Sequence, residues 1–237
     1  GGEGLSGLMC ARRNRLYGIL NGIDYEEYNP QTDPYIHANY THKDAQVGKK
    51  RNKAALQKQL GLPVDDGIFM IGIVSRMTPQ KGFDLIEYAM EELLTSLHIQ
   101  VVVLGTGDDK YENSMRYFQG KYPEQVCAYI GYSEEQAHKI YASVDALLMP
   151  SQFEPCGLSQ MIAMRYGTLP LVRETGGLKD TVIPYNQFTG EGTGFSFSNY
   201  NAHEMLHVIK SACFLFRHNQ EAWRAMQIAG MTTDFSW

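Results

Sequence analysis

Two patterns of apolar residues alternate along this chain. Short, mainly apolar runs at 68–74, 100–104, 125–130, 145–149 and 169–172 read as strands. An earlier run at 16–20 and a short extended stretch at 194–197 have the same character. Between them lie segments with helical spacing at 47–60, 83–97, 110–121, 134–143 and 158–166, followed by two more at 202–217 and 220–230. In the 83–97 segment the apolar positions Leu85, Ile86, Ala89, Leu93 and Leu94 fall on one helical face. Gly61 closes the first helix, as a glycine just past a helical pattern does. Strand and helix in regular alternation predict βαβ units. The expected fold is α/β: one Rossmann-like lobe, a mainly parallel sheet with helices on both faces.

Composition narrows the class without naming a function. At 43% hydrophobic and 20% charged the chain falls in the ordinary globular range, and none of its apolar runs approaches the ~18 residues of a membrane span. The formal charge of −5 gives little attraction for a phosphate backbone, so nucleic acid is not an expected partner. The one basic cluster, Lys49-Lys50-Arg51-Asn52-Lys53, reads as a solvated helix face. Cys10, Cys127, Cys156 and Cys213 form no CxxC pair and read as free thiols of a reducing compartment. The first residues have no signal-peptide pattern and no initiator Met, which agrees with a fragment or a processed product.

Candidate chemistry sits where strands end. Ser75-Arg76-Met77-Thr78-Pro79-Gln80-Lys81-Gly82 follows the 68–74 run, and Phe153-Glu154-Pro155-Cys156-Gly157-Leu158-Ser159-Gln160 follows the 145–149 run. Open α/β sheets bind ligands outside the carboxyl ends of their strands. Arg76 and Lys81 facing the helix start at Gly157, Leu158 and Ser159 suit a diphosphate. Glu154 beside them suits an attached polyhydroxylated group, which together suggests a nucleotide-sugar site. Gly105-Thr106-Gly107 is a weaker signal, since a GxG after a strand is often only a turn. His203-Glu204-Met205-Leu206-His207 matches the HExxH zinc pattern. Ala202, Met205, Leu206 and Ile209 line the apolar side of that helix, so an amphipathic surface helix is the expected reading.

The 153–160 string, with Tyr166-Gly167-Thr168-Leu169-Pro170-Leu171-Val172-Arg173 and Thr175-Gly176-Gly177-Leu178-Lys179-Asp180-Thr181-Val182, closely resembles the bacterial glycogen synthase and plant starch synthase family. The resemblance runs over 1–237 and covers only that family's C-terminal half plus the crossover into it. It implies the donor-binding C-terminal lobe of a two-lobe GT-B glycosyltransferase, with 1–24 as the tail of the preceding lobe and crossover, and 25–237 as the lobe itself. The implied activity is retaining transfer of glucose from ADP-glucose to the non-reducing end of an α-1,4-glucan, the acceptor being held mostly by the other lobe.

By the same resemblance Arg76 and Lys81 contact the diphosphate and stabilise the leaving nucleoside diphosphate. Glu154 holds the donor glucose, Tyr132 stacks on the base, and the loop at Thr175, Gly176 and Gly177 approaches the glucose and its acceptor. Cys156 is a small residue fitted beside the sugar, since no His partner supports thiolate catalysis. No metal and no cofactor are implied, because the two cations supply the charge. Many relatives of this architecture carry a second Glu eight positions after the first; here that position is Ile162, which departs from sucrose-type synthases.

The resemblance also implies a cytoplasmic setting in a bacterium or a plastid in a plant. Without the other lobe the chain is expected to bind nucleotide but not turn over. Two alternatives remain open: a transferase using UDP-glucose, and a free-standing binding or regulatory domain. Leu5, Leu8 and Met9 recur at helical spacing, so the opening segment is expected to be loose or packed on another molecule. The 231–237 stretch is expected to be similarly loose.

Overall fold

The computed structural model of the chain describes residues 27–154 and 157–235. The opening segment, the expected strand at 16–20, the lobe boundary after residue 24, and Cys10 and Cys156 lie outside the described residues. Fourteen regular elements of helix and strand follow one another in the described residues. Helix α1 (Ala45–Leu60) leads to β1 (Phe69–Val74), α2 (Phe83–Ser96), β2 (Ile99–Gly105) and α3 (Asp109–Lys121). Then come β3 (Val126–Ile130), α4 (Glu134–Ser143), β4 (Ala146–Met149), α5 (Ser159–Arg165) and β5 (Leu169–Arg173). A short α6 (Gly176–Thr181), β6 (Phe195–Phe197), α7 (Ala202–His218) and α8 (Gln220–Thr232) complete the chain.

The strands form one sheet in the order β3-β2-β1-β4-β5-β6, with every pairing parallel. Alternate residues of the central strands β1, β2 and β4 enter different cores, which is why these strands read as almost wholly apolar runs. Phe69, Ile71, Ile73, Val101 and Val103 pack with α2, α3 and α7 on one face. Met70, Val102, Leu104 and Leu147 pack with α1, α4 and α5 on the other. Helix α8 joins the two faces, with Trp223 and Met226 in the first core and Met231 in the second. The expected looseness of 231–237 therefore fails at its start: Met231 is buried and Phe235 packs against the second core. Among the described residues no helix is long and apolar enough to cross a membrane.

A second expectation needs correction. The basic cluster of α1 is not one solvated face, because Lys49, Asn52 and Lys53 turn inward while Lys50 and Arg51 are exposed. Lys53 Nζ donates to the Asp145 carboxylate at 2.8 Å and to the carbonyls of Asp66 (2.8 Å) and Ile68 (2.5 Å). Lys49 Nζ donates to the Ala142 carbonyl at 3.0 Å and Thr168 Oγ1 at 2.8 Å. Burial holds the Lys49 ammonium down at about 7. Burial likewise pushes the Asp145 carboxyl up, with Lys53 opposing it. Long aliphatic stems let both lysines cross the α1 packing surface and satisfy carbonyls at the amino-terminal edge of the sheet. The opposite edge is left for chemistry.

Candidate functional site

Strand order reverses between β1 and β4, since β2 and β3 lie on one side and β5 and β6 on the other. Loops leaving the carboxyl ends of β1 and β4 consequently part around a crevice. After β1 the chain stays extended, and Met77 N–H donates to the Thr106 carbonyl at 2.7 Å. A Cβ on Gly105 would lie 1.9 Å from the Ser75 carbonyl oxygen, and one on Gly107 would lie 2.2 Å from that of Met77. Both glycines are thus explained by close backbone approach, while Thr106 between them is exposed. A single 3-10 turn, Pro79–Lys81, then delivers Lys81 to the crevice, and Gly82 (φ 85°) starts α2.

Across the crevice, the loop after β4 brings Glu154 to Lys81. Lys81 Nζ donates to both carboxylate oxygens, at 3.0 Å to Oε1 and 2.7 Å to Oε2, and Ser151 Oγ donates to Oε2 at 3.0 Å. Glu154 is only 6% exposed, so this is a largely desolvated ion pair held between two loops. Its backbone is fixed as well: the Gly177 N–H donates to the Glu154 carbonyl at 3.2 Å. Arg76 stands exposed on the β1 side with no side-chain hydrogen bond or ion pair to the described residues.

The sequence reading overlooked the side chains that brace the two loops. Arg173, at the end of β5, donates from Nη1 to the carbonyls of Gln152 (2.9 Å) and Ser151 (3.3 Å). Its guanidinium lies 5.7 Å from the centroid of the Tyr200 ring. Tyr200 in turn donates to the Pro79 carbonyl at 3.0 Å and contacts the Asp84 carboxylate. Burial and that carboxylate raise the Tyr200 phenol well above its ordinary range, so it stays a donor. The β1 and β4 loops are also tied directly, Gln152 N–H to the Gln80 carbonyl at 2.8 Å. The only signal in the sequence was a charged residue ending an otherwise buried strand.

The other expected residues are placed as follows. Gly157 is buried against Glu154, and no side chain caps α5; Ser159 Oγ instead accepts from the Tyr141 phenol at 3.2 Å. Leu158 is half-buried at the start of that helix. Gln160 Nε2 links the Gly157 carbonyl (2.8 Å) to Thr181 Oγ1 (3.0 Å). Thr175, Gly176 and Gly177 are a helix start and not the expected loop, because Leu178 and Val182 bury in a small core and pull the segment into α6. Tyr132 extends from the end of β3 and is 83% exposed. Ile162 faces the second core, where a carboxylate would be buried. His203 and His207 are exposed on α7, and among the described residues they belong to no potential metal cluster.

A parallel sheet in this order, with an ion pair and an unengaged arginine across its switch point, fits the comparison with known proteins. A sequence profile described as glycosyl transferases group 1 matches residues 52–214. The chain belongs to this family. A glycogen synthase of Lachnospira eligens is 57% identical over 236 residues, covering 100% of this chain and 49% of that protein. One from Clostridium acetobutylicum is 53% identical with the same coverage. Among solved structures, the catalytic domain of starch synthase IV from Arabidopsis thaliana, bound to ADP and acarbose, superposes with a TM-score of 0.84 at 38% identity. It is covered over 49% of its length. The C-terminal domain of a group 1 family protein from Francisella tularensis shares the fold at 17% identity and a TM-score of 0.59, with 98% of it covered. The group 1 chain thus has the Rossmann-like fold of a GT-B C-terminal lobe, and it spans about half the length of the curated relatives it matches.

Proposed function

We propose that the chain is the donor-binding half of a retaining glucosyltransferase that moves glucose from ADP-glucose to the non-reducing end of an α-1,4-glucan. The observation that carries this reading is the Lys81–Glu154 pair spanning the switch-point crevice beside exposed Arg76. An ammonium has three N–H donors, and Glu154 takes two of them, which leaves one for a phosphate oxygen. Arg76 supplies a planar second cation, and the amides at Gly157, Leu158 and Ser159 add donors. These groups would stabilise charge on the departing nucleoside diphosphate as the glycosidic bond breaks. Glu154, held by Lys81 and Ser151, would receive hydroxyls of the glucose and oppose the positive charge at its anomeric carbon. Tyr132 would stack on the base, Cys156 would line the sugar, and Thr175–Gly177 would approach the acceptor. No cofactor has a role in this scheme.

Support also comes from similarity to proteins named glycogen synthase and to a starch synthase domain holding ADP. Lacking the other half of those proteins, the chain alone would bind ADP without turnover; the acceptor would sit mostly on the partner lobe. Neither nucleic acid nor membrane enters the proposal, and its setting would be the cytoplasm. Calorimetry with ADP and with UDP tests it. ADP should bind more tightly than UDP, and Arg76→Ala and Lys81→Ala should each weaken ADP by about 1–3 kcal/mol. Unchanged affinity in both variants would rule out this crevice, and a preference for UDP would move the donor to UDP-glucose.

A further inference from the structure

His138 lies on α4 and is unused by the donor crevice. The residue is 1% exposed, and its Nδ1 sits 2.6 Å from the Asp33 carboxylate. Asp33 is itself fixed, accepting the Tyr166 phenol at 2.5 Å and the Tyr35 N–H at 2.9 Å. A carboxylate at Nδ1 sets the tautomer, with the proton on Nδ1 and a lone pair on Nε2. The Tyr28 ring stacks on the imidazole at 4.9 Å and Tyr35 meets it edge-on at 5.0 Å, so its orientation is locked. Yet Nε2 is buried and has no hydrogen-bond partner among the described residues. The Glu134 carboxylate, one helical turn earlier, stands 4.0 Å from it. Ligand atoms of Glu27, Glu134 and His138 all lie within 4.8 Å of one another.

We propose that Glu27, Glu134 and His138 form a binding site for a divalent transition-metal ion of the zinc class, with Asp33 as the group that orients the histidine. An imidazole nitrogen beside two carboxylates is a donor set for Zn²⁺ and its neighbours more than for Mg²⁺ or Ca²⁺, which prefer oxygen. Donors ~2.1 Å from a tetrahedral ion are roughly 3.4 Å apart, so closing the cluster needs movements of about 1 Å. The two exposed glutamates can make them while His138 stays fixed. Such an ion would clip the segment around Glu27 to α4. None of its three ligands is a group assigned to the phosphate crevice, and its existence does not depend on the glucosyltransferase reading.

The test is Zn²⁺ titration of the chelator-stripped 237-residue chain by calorimetry, with the melting temperature measured in parallel. Wild type should take up one ion per chain and melt higher with it. Glu134→Gln and Glu27→Gln change exposed side chains, so both should keep the native circular dichroism and each bind Zn²⁺ at least tenfold more weakly. Absence of Zn²⁺ binding by wild type overturns the proposal. So does binding that either glutamate variant leaves unchanged, which would trace the ion to surface histidines such as His203 and His207.

Discussion

Replacing Gly82 with alanine is the sharpest probe of how the crevice is built. Gly82 has φ 85°, and an added Cβ would lie 2.2 Å from the Pro150 carbonyl oxygen. Two penalties follow. A non-glycine residue in the left-handed region costs about 1–2 kcal/mol, and forcing a methyl against backbone adds about 1–3 kcal/mol. Gly61 isolates the first penalty, since it has φ 72° and nothing within 4 Å of its would-be Cβ. Gly61→Ala should therefore lose about 1–2 kcal/mol in urea unfolding, and Gly82→Ala should lose about 2–5 kcal/mol. The strain in Gly82→Ala is relieved only if the β4 loop backs away from α2, which separates Glu154 from Lys81. ADP affinity should drop in Gly82→Ala and not in Gly61→Ala. Equal stability losses in the two variants, with ADP binding intact in both, would refute the close approach and the loop coupling drawn from it.

Three further outcomes are expected. Asp145→Ala strands the Lys53 ammonium, which is 2% exposed, and should cost about 3–5 kcal/mol; Lys53→Met combined with Asp145→Leu should restore much of that loss, and a double variant no better than Asp145→Ala would contradict the pairing. Lys49 has a folded pKa of about 7, below its unfolded value of 10.5. The unfolded chain therefore holds that proton more firmly, and the penalty on folding, complete below pH 7, should lift as pH rises through 7 toward 10.5. Unfolding free energies at pH 6 to 9 should thus rise more steeply in wild type than in Lys49→Met, by up to about 1.4 kcal/mol per pH unit; parallel profiles would show that Lys49 does not titrate there. In a protein containing both lobes, Glu154→Ala should lower kcat and kcat/KM together while ADP affinity changes little, and normal turnover would make the carboxylate merely structural.

Most of this architecture was legible because the strands are buried on both faces and the helices have one clear apolar side. The segment 134–143 matches α4 at both ends, and the other elements predicted within the described residues differ from the observed ones by one or two residues at an end. Long-range partners account for what was missed. Nothing in Lys49-Lys50-Arg51-Asn52-Lys53 reveals that carbonyls near residue 142 and the Asp145 carboxylate wait for two of its ammonium groups. Helix α6 hides behind two glycines and forms because Leu178 finds a pocket. His138 reads as one polar position on a helix until Asp33, 105 residues away, is seen against it. The crevice was better signalled, since Arg76, Lys81 and Glu154 stand at strand ends whose fold class already points there. Its braces, Arg173 and Tyr200, act mainly through backbone carbonyls, which leave no trace in side-chain patterns.

The Lys81–Glu154 pair also makes the crevice selective. A simple polyanion meets only the one Lys81 N–H that Glu154 leaves free, and it offers nothing to a carboxylate that is only 6% exposed. A sugar joined to a diphosphate compensates both halves at once, its phosphate meeting the lysine and its hydroxyls meeting the glutamate. On the proposed reading the pair therefore works as a coincidence detector, answering to neighbouring hydroxyls and phosphates and weakly to either alone. Pyrophosphate should then compete poorly for the crevice against ADP-glucose, and Glu154→Gln should narrow that gap by weakening the hold on the sugar hydroxyls.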